Sequence, residues 1–356
     1  MKRVESLDGL RGLAALIVIF HHCVMTLAGG REWVDATILL RPIIAGPSAV
    51  LVFFVLSGFV LYLMVERGDP FRYAPYLIKR MMRIYPPLLA AVICSALLYT
   101  ALRPSPLPAL SDWFNAASWQ NPPTPQILAG HVLLFDGMAY HSLDNVIWSL
   151  VHELRLSLVF PLLALAVRRS TLVALTLSLL VSTMSKGLMA PVAPDTMVDI
   201  FASLQYLFLF AAGAAMAKHG AAIQALVAEH RRFPVGPLLL LAGIVIGPMT
   251  SGKEGEIGAI CLVAASFAYG PMSAMLNRQP FAWLGRVSYS LYLTHLLVLL
   301  TLVHGLNAVL PTWLILCAVL PLSLMIAALA YRYVERPSIA LGRFLTTPRR
   351  TVRAFG

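Results

Sequence analysis

Arg11 and His22 stand eleven residues apart in SLDGLRGLAALIVIFHHCVMTLAGG, an apolar run that begins at Ser6. Eleven residues make close to three helical turns, so the two side chains share a face, roughly 16 Å apart along the axis. Ionisable groups inside a membrane helix are costly, and they mark functional sites by default. An imidazole in that position can take a proton from a hydroxyl. A guanidinium at the mouth of the same helix can hold an anion such as phosphate. Asp8 sits one turn before Arg11, and His21 precedes His22.

A second group of candidates lies in WSLVHELR. A helix entering from the opposite side near residue 146 carries Glu153 about 10 Å deep. His22, about 18 Å into a core some 30 Å thick, is expected at nearly the same level. Glu153 is therefore a candidate carboxylate partner of His22, and Asp8 is kept as the open alternative. Trp148 and Ser149 precede Glu153, and His152 and Arg155 flank it. A third group is the cation cluster of YLIKRMMRIYPP: Arg80 and Arg83 share a face, and Lys79 joins Arg83 at the i,i+4 spacing. With Arg11 at the same level, these cations form a phosphate-grade site. Ser57, in FFVLSGF, is a pocket residue rather than a nucleophile, because the G-x-S-x-G elbow is missing. Ser57-Gly58 also permits close helix contact. Tyr292 and His295, in SYSLYLTH, fall near mid-membrane and are candidate pocket residues. His131 and His141 are read as surface residues of a loop.

These groups need a bundle to position them. Hydrophobic residues make up 59% of the 356, charged residues 12%, and mean hydropathy is +0.79. Soluble domains carry about a quarter charged residues, so the chain is expected to be an all-α polytopic membrane protein. About ten spans emerge: 10–29, 47–65, 81–102, 146–167, 171–185, 199–217, 237–250, 256–277, 285–306 and 312–334. The fifth and seventh are short for a crossing of about 20 residues. Ile127 to Phe135 is too short to cross and falls in a Pro- and Trp-rich loop that holds Trp113 and Trp119, residues that favour the interface.

With the N-terminus cytoplasmic, only Arg31, Arg41, Arg103, Lys186 and Lys253 face outward, and Arg155 lies within a span. Every other Lys and Arg is then inside, which predicts both termini cytoplasmic. The net charge of +11 thus reads as topology signals near lipid headgroups, and no nucleic-acid partner is expected. Cys23, Cys94, Cys261 and Cys317 sit in apolar runs and read as small hydrophobes, with no metal site or disulfide framework. Lys2-Arg3 and the run after them mimic a signal peptide, but the run is long and holds two histidines, so an uncleaved first span is expected. A transmembrane domain is expected over 1–337, and a basic, loosely ordered cytoplasmic tail over 338–356.

Inner cations and a deep base suit a coenzyme A thioester. Its phosphates would stay at Arg11, Lys79, Arg80 and Arg83 while its pantetheine arm threads toward His22. The alternative is a transporter or flippase of a lipid-linked saccharide, which also buries charge at mid-membrane. A non-catalytic scaffold would not need Arg11 and His22 on one face.

Six segments in order resemble the membrane-bound acyltransferase-3 family: LDGLRGLAAL with Arg11-x10-His22, FFVLSGF, Arg80-x-x-Arg83-IYP, Trp148-Ser149-Leu150 with Glu153, SYSLYLTH and Glu335-Arg336-Pro337. The resemblance runs from Leu7 to Pro337. It implies ten core helices in a bacterial inner membrane, and acyl-CoA, usually acetyl-CoA, as co-substrate with no other cofactor. It implies O-acylation of an envelope glycan or glycolipid, with a macrolide-type small molecule as the alternative acceptor. His22 matches the family's catalytic histidine, Arg11 its paired arginine, and Arg80 and Arg83 its donor-binding motif. Where the family has a second acidic residue and an aromatic after Glu153, this chain has Leu154, Arg155 and Ser157. No hydrolase-like domain is appended, which implies a standalone transferase.

Overall fold

The computed structural model describes residues 5–37, 39–67, 71–134, 142–188, 201–229, 234–249 and 253–347. Among these residues every element is a helix. The helices are α1 (Glu5–Thr26), α2 (Gly30–Ala36), α3 (Arg41–Ile44), α4 (Gly46–Glu66), α5 (Tyr73–Leu102), α6 (Asp112–Ala117), α7 (Pro125–Leu133), α8 (Ile147–Arg169) and α9 (Thr171–Leu188). They continue as α10 (Leu207–Glu229), α11 (Val235–Val245), α12 (Lys253–Ala268), α13 (Gly270–Leu276), α14 (Gln279–Leu306), α15 (Thr312–Ala330) and α16 (Arg336–Thr346), with a π-helical turn at Tyr331–Glu335 between the last two.

Seven helices among the described residues are long and apolar enough to cross a membrane: α1, α4, α5, α8, 201–229, α14 and 312–346. The expected fifth and seventh spans are the shorter apolar helices α9 and α11. The expected eighth span, 256–277, is not one rod. It is bent by 84° where α12 gives way to α13. Tyr269 at the break has extended backbone and is followed by Gly270-Pro271. Pro271 has no N–H to give to the carbonyl four residues back, so the helical ladder cannot run through, and the chain restarts at Gly270 with the proline in its first turn. The stretch after Pro337, expected to be loosely ordered, is helical to Thr346. Its Gly342 rests on Lys79 and Met82 of α5.

Small residues set the helix spacing. Gly12 of α1 faces Leu284 and Gly285 of α14, and a Cβ at Gly12 would stand 2.8 Å from Gly285 N. Gly58 of α4 lies as closely against the Phe210 backbone of α10, the contact that Ser57-Gly58 predicts. Around these seams one apolar core forms from Ile19, Phe54, Phe59, Phe160, Phe210 and their neighbours. In lipid, close van der Waals packing of this kind replaces the hydrophobic drive between helices.

Candidate active site

Helices α1 and α14 run parallel and in register. His22 lies ten residues after Gly12, and His295 lies ten after Gly285. The glycine contact therefore repeats as a histidine contact about 15 Å further along. His22 Nδ1 is 2.9 Å from His295 Nε2. The two rings lie within 16° of parallel with centroids 5.1 Å apart, a geometry compatible with an in-plane hydrogen bond between ring nitrogens. His295 is fully buried, and its Nδ1 donates to its own helix, 2.7 Å from Tyr292 O and 3.2 Å from Leu291 O.

Trp113 stacks on His22 with centroids 5.0 Å apart and planes at 29°. It is carried by α6, a short helix capped by Ser111 Oγ, which accepts from Phe114 N. Ser111 also ties this loop to the end of α1: its N–H donates to Thr26 O at 3.1 Å and its hydroxyl to Met25 O. Sequence reasoning placed Trp113 only at the interface. Its seat on His22 depends on these long-range ties, which no local pattern announces. On the far side of α6, Phe114 and Asn115 line a cavity of about 290 Å³ with Ser105, Trp119, Gln120 and His304. His21 turns away from this group, with its Nδ1 2.7 Å from Ile44 O.

Glu153 does not meet His22. Its Oε1 accepts from Ser57 Oγ at 2.7 Å and from Arg80 Nη2. Matched depth brought the two residues to one level, but α8 approaches α4 and α5 there, and the carboxylate goes to the buried cation that needs it. Asp8 is also not a partner of His22. It lies 3.7 Å from Arg11, at the other end of α1. The expectation that Glu153 or Asp8 orients His22 is therefore corrected: the group at that nitrogen is His295.

The cation cluster divides in the same way. Arg80 is buried at 7% exposure and engaged by Glu153, so it does not offer an open phosphate-binding fork. Lys79 is exposed and Arg83 half-buried. Arg83, Arg80, Asp8 and Glu153 all lie within electrostatic reach of Arg11. The ERP segment in the sequence assigns Glu335 no task. The structure buries Glu335, where its Oε2 accepts from Ser290 Oγ at 2.7 Å and the charge of Arg83 reaches it. A π-helical turn is costly and clusters at functional sites, so this turn was a signal visible only in the backbone.

Between the two ends, Ser149 Oγ and Tyr292 OH are 2.7 Å apart, and Tyr292 OH also donates to Val146 O at 3.2 Å. Trp148 lies beside His152, whose Nδ1 is 2.9 Å from Ser203 Oγ. Thus Ser57, Ser149, Tyr292 and His295 all sit inside the bundle, while Trp148 belongs to the neighbouring His152–Tyr206 cluster. His131, expected at the surface, is buried with its Nδ1 2.8 Å from Ile127 O. His141 lies outside the described residues.

Along α1 the order is thus a cation at one end and a half-buried imidazole at the other. The family model described as "Acyltransferase domain" matches residues 4–332. The chain belongs to the acyltransferase-3 family. It is 23% identical over 376 aligned residues to the peptidoglycan O-acetyltransferase OatA of Listeria monocytogenes, covering 94% of this chain and 56% of that protein. It is 32% identical over 174 residues to the acyltransferase MdmB of Streptomyces mycarofaciens, covering 47% of this chain and 41% of that one. This acyltransferase-3 protein thus spans about half the length of the curated relatives it matches. No solved structure matches it.

Proposed function

We propose that this protein transfers an acyl group, acetyl in the first instance, from cytoplasmic acyl-CoA to a hydroxyl of an envelope glycan or glycolipid in the bacterial inner membrane. The observation that carries the reading is the single helix α1, with Arg11 among cations at one end and His22, half-buried, against His295 and Trp113 at the other. In this reading the phosphates of the donor lie at Arg83, Lys79 and Arg11, and the pantetheine arm runs along α1. Arg80 acts one step back, by holding Glu153. The cavity beside α6 is where the acceptor approaches, since its mixture of aromatic rings, amides and hydroxyls suits a saccharide.

The acceptor hydroxyl gives its proton to His22 as its oxygen attacks the thioester carbonyl. The C–S bond then breaks, and the coenzyme A thiolate leaves and takes up that proton. General-base help of this kind is typically worth 10²–10⁴-fold in rate. The acceptor class follows the relative named as a peptidoglycan O-acetyltransferase, with which alignment covers 94% of this chain. The test is His22→Ala, expressed at normal abundance, with alkali-labile acetate measured on the envelope fraction. Loss of that acetate is expected, and full acetylation by the variant overturns the proposal.

A further inference from the structure

We propose that His295 is a positioning residue that fixes the tautomer of His22, so that the basic nitrogen of His22 is Nε2. This rests on the reading above, in which His22 takes the acceptor's proton. His295 Nδ1 faces two backbone carbonyl oxygens, Tyr292 O at 2.7 Å and Leu291 O at 3.2 Å. Carbonyl oxygens only accept, so Nδ1 carries the hydrogen. A neutral imidazole has one N–H, and the other nitrogen is then an acceptor. His295 Nε2 therefore presents a lone pair, and His22 Nδ1 lies 2.9 Å from it. His22 must carry its own proton on Nδ1, which leaves the Nε2 lone pair for chemistry.

Doubly protonated alternatives find no counter-ion among the described residues. Among the described residues, the groups acting electrostatically on His22 are His295 and His21, and His295 Nδ1 faces the Tyr292 and Leu291 carbonyls. Glu153 is taken by Arg80 and Ser57, and Glu335 by Ser290. The chain of donors runs one way only, from His22 Nδ1–H to His295 Nε2 and from His295 Nδ1–H to the α14 backbone. When Nε2 takes the acceptor's proton, the Nδ1–H bond persists and keeps the ring in place. Partners of this kind set which imidazole nitrogen is free, and removing one typically costs 10–100-fold in activity. The parallel register of α1 and α14 explains how residues 273 positions apart come to share one hydrogen bond.

The test uses two amide replacements that a structural role would rank in the opposite order. In His295→Gln the side-chain oxygen reaches the place of Nε2 and still accepts from His22. In His295→Asn the shorter amide reaches only the place of Nδ1. It keeps the bond to Tyr292 O and loses His22. Full-length protein in permeabilised membrane vesicles of an expressing strain, which hold their own acceptors, is assayed for thiol release from acetyl-CoA per mole of protein.

The Gln variant is expected to keep kcat within about fivefold, and the Asn variant to lose about 10–100-fold, with KM for acetyl-CoA unchanged in both. Equal rates in the two variants, or Asn surpassing Gln, overturn the proposal, as does a change confined to KM. His22→Ala in the same assay separates the two readings. If it is inactive while His295→Asn is fully active, only the positioning role falls. If it is fully active, the base itself has been misassigned.

Discussion

Replacing Arg80 by Met tests what that arginine is for. Arg80 and Glu153 have side chains 8% and 18% exposed, and the carboxylate takes hydrogen bonds from Arg80 and from Ser57. Removing one partner of a buried pair leaves the other charge uncompensated, at about 3–5 kcal/mol. At 1.36 kcal/mol per decade, the folded population falls by roughly two to four orders of magnitude relative to the unfolded. Ser57→Ala removes one hydrogen bond to a charged acceptor, worth about 1.5–3 kcal/mol. Replacing both ions, as Arg80→Met with Glu153→Leu, removes the orphaned charge and is expected to recover most of the loss. The predicted order of destabilisation is therefore Arg80→Met, then Ser57→Ala, then the double variant. Thermal unfolding in detergent, followed by the monodisperse fraction on size exclusion, measures it. A double variant no more stable than Arg80→Met refutes the reasoning. So does an Arg80→Met that melts normally while its KM for acyl-CoA rises, since Arg80 would then be a donor ligand and not the tether of Glu153.

Arg83→Ala is expected to raise the acyl-CoA KM with little change in kcat; an unchanged KM would make Arg83 a topology signal alone. Gly12→Val places carbon against Gly285 N and Leu284 C, which are backbone atoms that cannot yield, and it should cost about 1–3 kcal/mol and lower the yield of folded protein. Normal yield and melting would show that α1 and α14 need not approach so closely. Asp144, in the turn before α8, is buried, and burial pushes its carboxyl well above the ordinary value, with the nearby Val146 N–H opposing this in part. The folded state thus holds a proton that the unfolded chain releases, so stability is highest below the ordinary carboxylate range and falls as pH rises toward the raised value. Asp144→Asn should abolish that slope in a melting series, and a variant with the wild-type slope would exonerate Asp144.

The parts of this fold that lay open in the sequence are those governed by local periodicity. Apolar length announced α1, α4, α5, α8 and α14, and the eleven-residue interval put Arg11 and His22 on one face. Partner choice was not legible in the same way. Depth along an axis can be read from residue numbers, but the azimuth at which α8 meets α4 and α5 cannot, and azimuth is what gives Glu153 to Arg80 and not to His22. The bend at Tyr269 was signalled by Gly270-Pro271 inside an apolar stretch, where length outweighed the proline. His295 was legible as a mid-membrane residue. Its bond to His22 follows from two glycines, Gly12 and Gly285, whose pairing across the chain no single stretch discloses.

That pairing also has a consequence for biosynthesis. The two imidazoles lie 273 residues apart in the chain, so a nascent chain emerging from the ribosome has inserted α1 long before it can supply α14. On the proposed pairing, until residue 295 is threaded into the bilayer, His22 lacks the acceptor for its Nδ1–H. Competence then waits until α14 is in place, and a product terminated before α14 would lack the pair.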